Sequence, residues 1–160
     1  MKKKAIIWTI SIVALLIMGA FALTTNKASG FEKINNFDGE IKIYKSGSCG
    51  CCSIYSNYFK GNGNSKTEIV NLENLDAVKS QYGVPATMQS CHTTIIGDYF
   101  IEGHIPLEAV EKLMLEKPDI KGIAMPGMPS GSPGMPGAKN GDFVIHAVNH
   151  DGSYEEFMRL

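Results

Sequence analysis

Charge of one sign is what this sequence lacks first. Fifteen Lys and Arg stand against 16 Asp and Glu, a formal net charge of −1. Nucleic-acid binding calls for a clustered basic face, so no polyanion partner is indicated. Cysteine is scarce as well, with four in 160 residues. There is no second pair of closely spaced cysteines, so the usual structural zinc arrangement is absent, and the usual iron–sulfur spacings are absent too. No cysteine closely follows the N-terminal apolar run, so a lipoprotein anchor is not supported. Repeats are missing: a Pro/Gly stretch at 122–137 is too short for a collagen or solenoid array.

What is present fits one domain of roughly 100–150 residues behind an N-terminal tail. Met1–Lys4 is basic, and Ala5–Leu23 is an uncharged apolar run. Three lysines before such a run hold the start of the chain on the cytoplasmic side. A buried core helix is not expected, because the run is apolar on every face. Two alternatives stay open for residues 1–25. Ala20 and Ala22 make an A-x-A-like site for a cleaved signal peptide. The length, near the ~20 residues that span a bilayer, also suits an uncleaved anchor. Either delivers the chain from about residue 30 onward to the outer side of the cytoplasmic membrane. That makes the exported part periplasmic or extracytoplasmic, touching the membrane only through its N-terminal segment. Thiols there tend to be oxidised or bound.

Residues 26–39 are polar and without a strong period, and read as a linker. "EIKIYKS" alternates and predicts a strand. "CCSIYSNYFKG" has Ile54, Tyr55, Tyr58 and Phe59 at helical spacing, with Ser48 as cap and Gly61 as stop. "TEIVNL" predicts a strand. "NLDAVKSQYG" predicts a helix capped by Asn74 or Asp76 and stopped by Gly83. A strand near Thr93–Ile96, a turn at Gly97-Asp98 and the strand "YFIEGH" make a hairpin. "PLEAVEKLMLEK" predicts a helix ended by Pro118. The order is β-α-β-α-β-β-α, an α/β fold. Pro and Gly so fill 122–137 that neither helix nor sheet is expected to run through it. Phe143, Ile145 and Ala147 then alternate with Val144, His146 and Val148, and Asp151-Gly152 turns the strand back.

"SGSCGCCS" puts Cys49, Cys51 and Cys52 on the strand-to-helix turn. Cys49 and Cys52 have the C-x-x-C spacing of a thioredoxin-like redox site, where the helix N-terminus stabilises a thiolate. Cys51 counts against a simple dithiol catalyst, because a third sulfur invites wrong pairings. Three thiolates at one turn instead surround a soft ion or bridge several. Thiolate and thioether donors select Cu(I). Two other readings remain open on these residues. Cys49 and Cys52 alone would serve a thiol–disulfide oxidoreductase. A structural pair of disulfides would need Cys91 to bond one cluster member and a strained near-neighbour bridge for the rest.

The fourth cysteine, Cys91, adjoins His92, and His104 ends the hairpin. Either histidine reaches a metal if the hairpin faces the cysteine turn. His146 and His150 read as ordinary polar residues. Met125, Met128 and Met135 lie in the Pro/Gly segment, as thioether donors or as gap-fillers under a long loop. Met88 and Met114 read as core.

"YKSGSCGCC", "GVPATMQSCHT", "IEGHIP" and "MPSGSPGMPG", in that order, resemble the CopG-like copper-resistance family, from about Ile41 to His150. The resemblance implies a thioredoxin-like domain at 40–121 with a Pro/Gly/Met-rich C-terminal extension at 122–160. It implies copper, as Cu(I) or a thiolate-bridged multicopper cluster, on Cys49, Cys51, Cys52 and Cys91. His104, Met128 and Met135 complete the candidate ligand set. A copper-binding protein of the cell envelope contributing to copper resistance follows. Other copper-handling envelope proteins would then be its partners, and a cluster tolerating both Cu(I) and Cu(II) would pass electrons. Ile54-Tyr55 departs from the Trp that many relatives carry after the cluster, which touches no ligand.

Overall fold

The computed structural model describes residues 30–160. The signal peptide or anchor expected at 1–25 lies outside them. Among the described residues no helix is long and apolar enough to cross a membrane.

Phe31–Leu160 forms one unit around a seven-stranded mixed sheet of order β2-β1-β3-β4-β5-β6-β7. The elements are α1 (Glu32–Asn35), β1 (Ile41–Lys45), α2 (Gly50–Asn62), β2 (Glu68–Asn71), α3 (Asp76–Gln81), β3 (His92–Ile96), β4 (Tyr99–Glu102), α4 (Leu107–Glu116), β5 (Gly122–Ala124), β6 (Val144–Val148) and β7 (Tyr154–Arg159). From β1 to α4 this is the expected β-α-β-α-β-β-α order. β1 pairs parallel with β2 and antiparallel with β3. Its alternation works as read, with Ile41 and Ile43 buried in the main core.

The packing of α2 follows from its sequence period. Cys52, Tyr55, Ser56 and Phe59 recur at i, i+3, i+4 and i+7, and all four are buried. The ends differ from expectation. Cys49, not Ser48, is the N-cap, its Sγ accepting the Cys52 N–H at 3.3 Å. Ser48 turns instead to the Ser46 hydroxyl, 3.0 Å away. The helix also runs through Gly61 to Asn62, and Gly63 ends it. At α3 the N-cap is Leu75 without a side-chain cap, not Asn74 or Asp76, although Asn74 Oδ1 accepts the Asp76 N–H at 2.6 Å. Gly83 (φ +70°) follows the C-cap Tyr82 as the expected stop.

Within the linker expected at 26–39, the described residues include a helical turn. α1 is a single turn whose Ile34 is fully buried. Glu111 of α4 accepts the backbone N–H groups of Lys33 (2.8 Å) and Ile34 (3.1 Å). That carboxylate satisfies donors no intrahelical carbonyl reaches.

The Pro/Gly segment likewise begins as a strand, contrary to expectation. β5 pairs parallel with β4 and antiparallel with β6, so the sheet runs on past residue 121. Gly122 is needed there, because a Cβ would sit 2.2 Å from the Phe100 carbonyl oxygen. Only from Met125 onward does the segment leave the sheet. Phe143, just before β6, and Ile145 and Ala147 within it are buried as expected, but Val148 is buried as well, so the alternation breaks at the end of the strand.

Candidate metal centre

Strand register assembles the centre. β1 delivers the chain to the turn 46–48, and Cys49, Cys51 and Cys52 open α2. Antiparallel pairing sets Lys45 opposite His92. Cys91, just before β3, therefore arrives beside that turn. The next pairing sets Thr93 opposite Glu102, and Gly103 N–H donates to the His92 carbonyl at 3.1 Å. That brings His104 to the same end of the sheet.

Four sulfurs converge: one ligand atom each from Cys49, Cys51, Cys52 and Cys91, all within 4.8 Å of one another. A second group, Cys52, Cys91, His92 and His104, meets the same limit. The two groups share Cys52 and Cys91. Cys49 and Cys52 are joined as a disulfide, and Cys51 and Cys91 are free. The alternative of a Cys91 disulfide is thereby corrected: the bridge lies within the C-x-x-C, whose spacing on one helical turn suffices. Cys51 Sγ stands 3.5 Å from Cys49 Sγ.

Cys91 Sγ is the hub. His104 Nε2 is 3.1 Å away and His92 Nδ1 is 3.4 Å away. Both histidines are fully buried. Tyr55 walls the pair, with ring centroids 4.4 Å from His92 and 5.4 Å from His104, and the two imidazoles stand 4.8 Å apart, edge to face. The Tyr55 hydroxyl donates to the Ile105 carbonyl at 3.0 Å. His92 Nε2 is buried without a partner.

Burial sets the protonation states. It holds His92 well below the ordinary imidazole range, aided by the neighbouring His104 and Lys79, and it lowers His104 as well. Burial, then the nearby Cys51, pushes the Cys91 thiol up to about 11. Both rings are neutral at pH 7, the form that offers a lone pair to a metal. No carboxylate belongs to either group. Sulfur with imidazole suits a soft or borderline cation rather than calcium or magnesium.

The remaining candidates lie on the Pro/Gly segment or away from the centre. Met128 sits on an exposed turn with φ +46°. Met135 is partly buried and follows Gly134, which lies against the first turns of α2. Met125 is buried in the main core. His146 packs edge-to-face on Tyr154, and His150 pairs with Asp119 at 3.0 Å.

A buried polar network behind Cys91 escaped the sequence reading. Glu102 Oε1 accepts the Ser90 N–H at 2.6 Å and pairs with the Lys79 ammonium, while Oε2 accepts the Thr93 hydroxyl at 2.6 Å. Lys79, Thr93 and Glu102 are all buried. Nothing in a linear sequence marks one Lys and one Glu as an inward-facing pair.

The family described as "Protein of unknown function, DUF411" matches residues 88–135, the span holding Cys91, His92, His104 and the loop through Met135. Two solved structures, "Copper resistance protein copG- Form 1" and "Form 2", are each 35% identical with a TM-score of 0.69. Each covers 76% of this chain, and the matches cover 96% and 97% of those chains. No curated protein matches this chain. With a shared fold and that identity over nearly their whole length, the chain belongs to the CopG-like family.

Proposed function

We propose that this chain binds copper in the cell envelope and contributes to copper resistance. The observation that carries the reading is the convergence of four cysteine sulfurs within 4.8 Å, in a relative of proteins named for copper resistance. Cys49, Cys51, Cys52 and Cys91 hold Cu(I) as thiolates, and His104 adds a neutral imidazole. Met128 and Met135 are the thioether candidates from the Pro/Gly segment. Two ligand groups that share Cys52 and Cys91 suit thiolates bridging several copper ions. Residues 40–121 form a thioredoxin-like domain, a reading supported by the order β2-β1-β3-β4 and by α2 rising from the cysteine turn. The basic and apolar N-terminus exports the chain to the periplasm or holds it on the outer face of the inner membrane. Other copper-handling envelope proteins deliver or receive the metal.

Loading begins from the disulfide. A dithiol reductant gives Cys49–Cys52 two electrons and two protons, producing two thiols and leaving the reductant as a disulfide. Copper then displaces the protons. Metal analysis of full-length protein, reduced and loaded with Cu(I), tests this. Cys49→Ser with Cys52→Ser is expected to lose most bound copper, and a double variant carrying the wild-type load refutes the site.

The disulfide favours one rival, a thiol–disulfide oxidoreductase using Cys49 and Cys52. Metal-free protein that reduces insulin, unaffected by Cys51→Ser or Cys91→Ser, would support that rival over copper binding.

A further inference from the structure

The segment 129–137 is held by its own hydrogen bonds. Ser132 is buried and donates its hydroxyl to the Pro129 carbonyl at 2.7 Å. Met135 N–H donates to the Ser132 carbonyl at 2.8 Å, and Gly131 N–H to the Pro136 carbonyl at 3.1 Å. One edge of this loop meets the start of α2. A Cβ on Gly134 would come within 2.8 Å of both the Cys51 carbonyl oxygen and the Tyr55 nitrogen. Those are backbone atoms of a packed helix and cannot yield cheaply. Only glycine permits the approach.

The approach places one atom where it matters. The Pro133 carbonyl oxygen is 2.7 Å from His104 Nδ1. A carbonyl only accepts, so Nδ1 carries the ring proton. In a neutral imidazole Nε2 is then the lone-pair nitrogen, and Nε2 is the atom 3.1 Å from Cys91 Sγ. Metal-ligating histidines are held in this way, with the far N–H tied to a carbonyl or carboxylate.

We propose that the loop 129–137 is a positioning element for the metal centre: Gly134 lets it close on α2, and the Pro133 carbonyl fixes His104 with Nε2 towards Cys91. The inference rests on the copper-binding reading above and assigns the Pro/Gly segment a task beyond supplying methionines.

Gly134→Ala lifts the loop from α2. Gly127→Ala is the control, because Gly127 has the same φ of +84° but nothing within 4 Å of a built Cβ. Both variants suffer the same backbone strain, and only one suffers the collision. Full-length protein purified in detergent serves for both measurements, nitrogen-edited imidazole spectra of the reduced metal-free state and Cu(I) affinity by chelator competition. Wild type is expected to show His104 protonated on Nδ1. Gly134→Ala should lose that tautomer preference and bind Cu(I) about 10–100-fold more weakly, while Gly127→Ala stays within about twofold. Wild-type His104 protonated on Nε2 overturns the inference, even if Gly134→Ala fails to fold. Equal affinity and equal tautomer in the two variants also overturn it. Wild type that binds no copper defeats the proposed function instead, which the tautomer measurement does not touch.

Discussion

Replacing Glu102 by Gln keeps the shape of the side chain and removes its charge. Every group facing the carboxylate is a donor: the Lys79 ammonium, the Ser90 N–H and the Thr93 hydroxyl. That set suits an ionised acceptor. Burial raises the Glu102 pKa, and the Lys79 charge with the three donors pulls the other way. In Glu102→Gln the amide oxygen, in the Oε1 place, still accepts from Ser90 and Lys79, but the Lys79 ammonium stays buried with no opposing charge, and the amide NH2 meets the Thr93 hydroxyl. Stranding one member of a buried pair costs about 3–5 kcal/mol. For a domain of this size that is a fall in melting temperature of roughly 10–20 °C. Urea unfolding followed by circular dichroism measures it on metal-free protein. Adding Lys79→Met removes the stranded charge and is expected to recover most of the loss. A single variant within about 1 kcal/mol of wild type would refute the reasoning, as would a double variant no better than the single.

Acid should weaken the metal-free protein below the ordinary imidazole pKa. The depressed pKa values of His92 and His104 keep both rings neutral when folded, while the unfolded chain takes protons below about pH 6.5. Stability is therefore fully present above that pH and falls below it by up to about 1.4 kcal/mol per unit for each ring. Equal urea midpoints at pH 6.5 and 5.5 would count against two neutral buried rings. Gly122→Ala should cost about 1–3 kcal/mol, because its Cβ would meet the Phe100 carbonyl at 2.2 Å. Gly50→Ala, in the first turn of α2 with nothing within 4 Å, should be neutral or stabilising by up to about 1 kcal/mol, and a matching loss in both would show that the collision is not the cause.

Local pattern carried much of the fold, and long-range pairing carried the site. The face of α2 was legible in part: Tyr55 and Phe59, read at helical spacing, are buried, but Ile54, read with them, is exposed, and Cys52 and Ser56 complete the buried face instead. The 97–98 turn was legible because Gly-Asp between two strands admits few geometries. The helix at 32–35 was not, since what holds it is Glu111, nearly eighty residues away. β5 was hidden because Pro and Gly signals dominate the stretch that begins at Gly122, although its first three residues lie in the sheet. At the site, the motif singled out Cys49, Cys51 and Cys52 at once. That Cys91 and both histidines join them depends on the Lys45–His92 and Thr93–Glu102 register, which no single segment encodes. Lys79 and Glu102 carry no sequence signal of their burial, because a Lys or Glu is more often exposed unless paired.

Cys49 links the two chemistries of the centre. Its Sγ caps α2 through the Cys52 N–H while bonded to the Cys52 sulfur. In that state the helix N-terminus faces a neutral sulfur. Reduction leaves a thiol at the same position, where the N–H groups and the helix dipole favour the thiolate. Cys51, 3.5 Å away, and Cys91 then crowd further sulfur charge into one place. Such crowding is unfavourable until a cation enters: burial first, and then the nearby Cys51, raise the Cys91 thiol. A soft cation held by these sulfurs binds the reduced form and not the disulfide. At a hundred times its dissociation constant it would stabilise the reduced form by about 2.7 kcal/mol, roughly a hundredfold. Metal occupancy and disulfide content must therefore move in opposite directions in one sample. A centre that stays fully disulfide-bonded while carrying its full copper load would break that linkage.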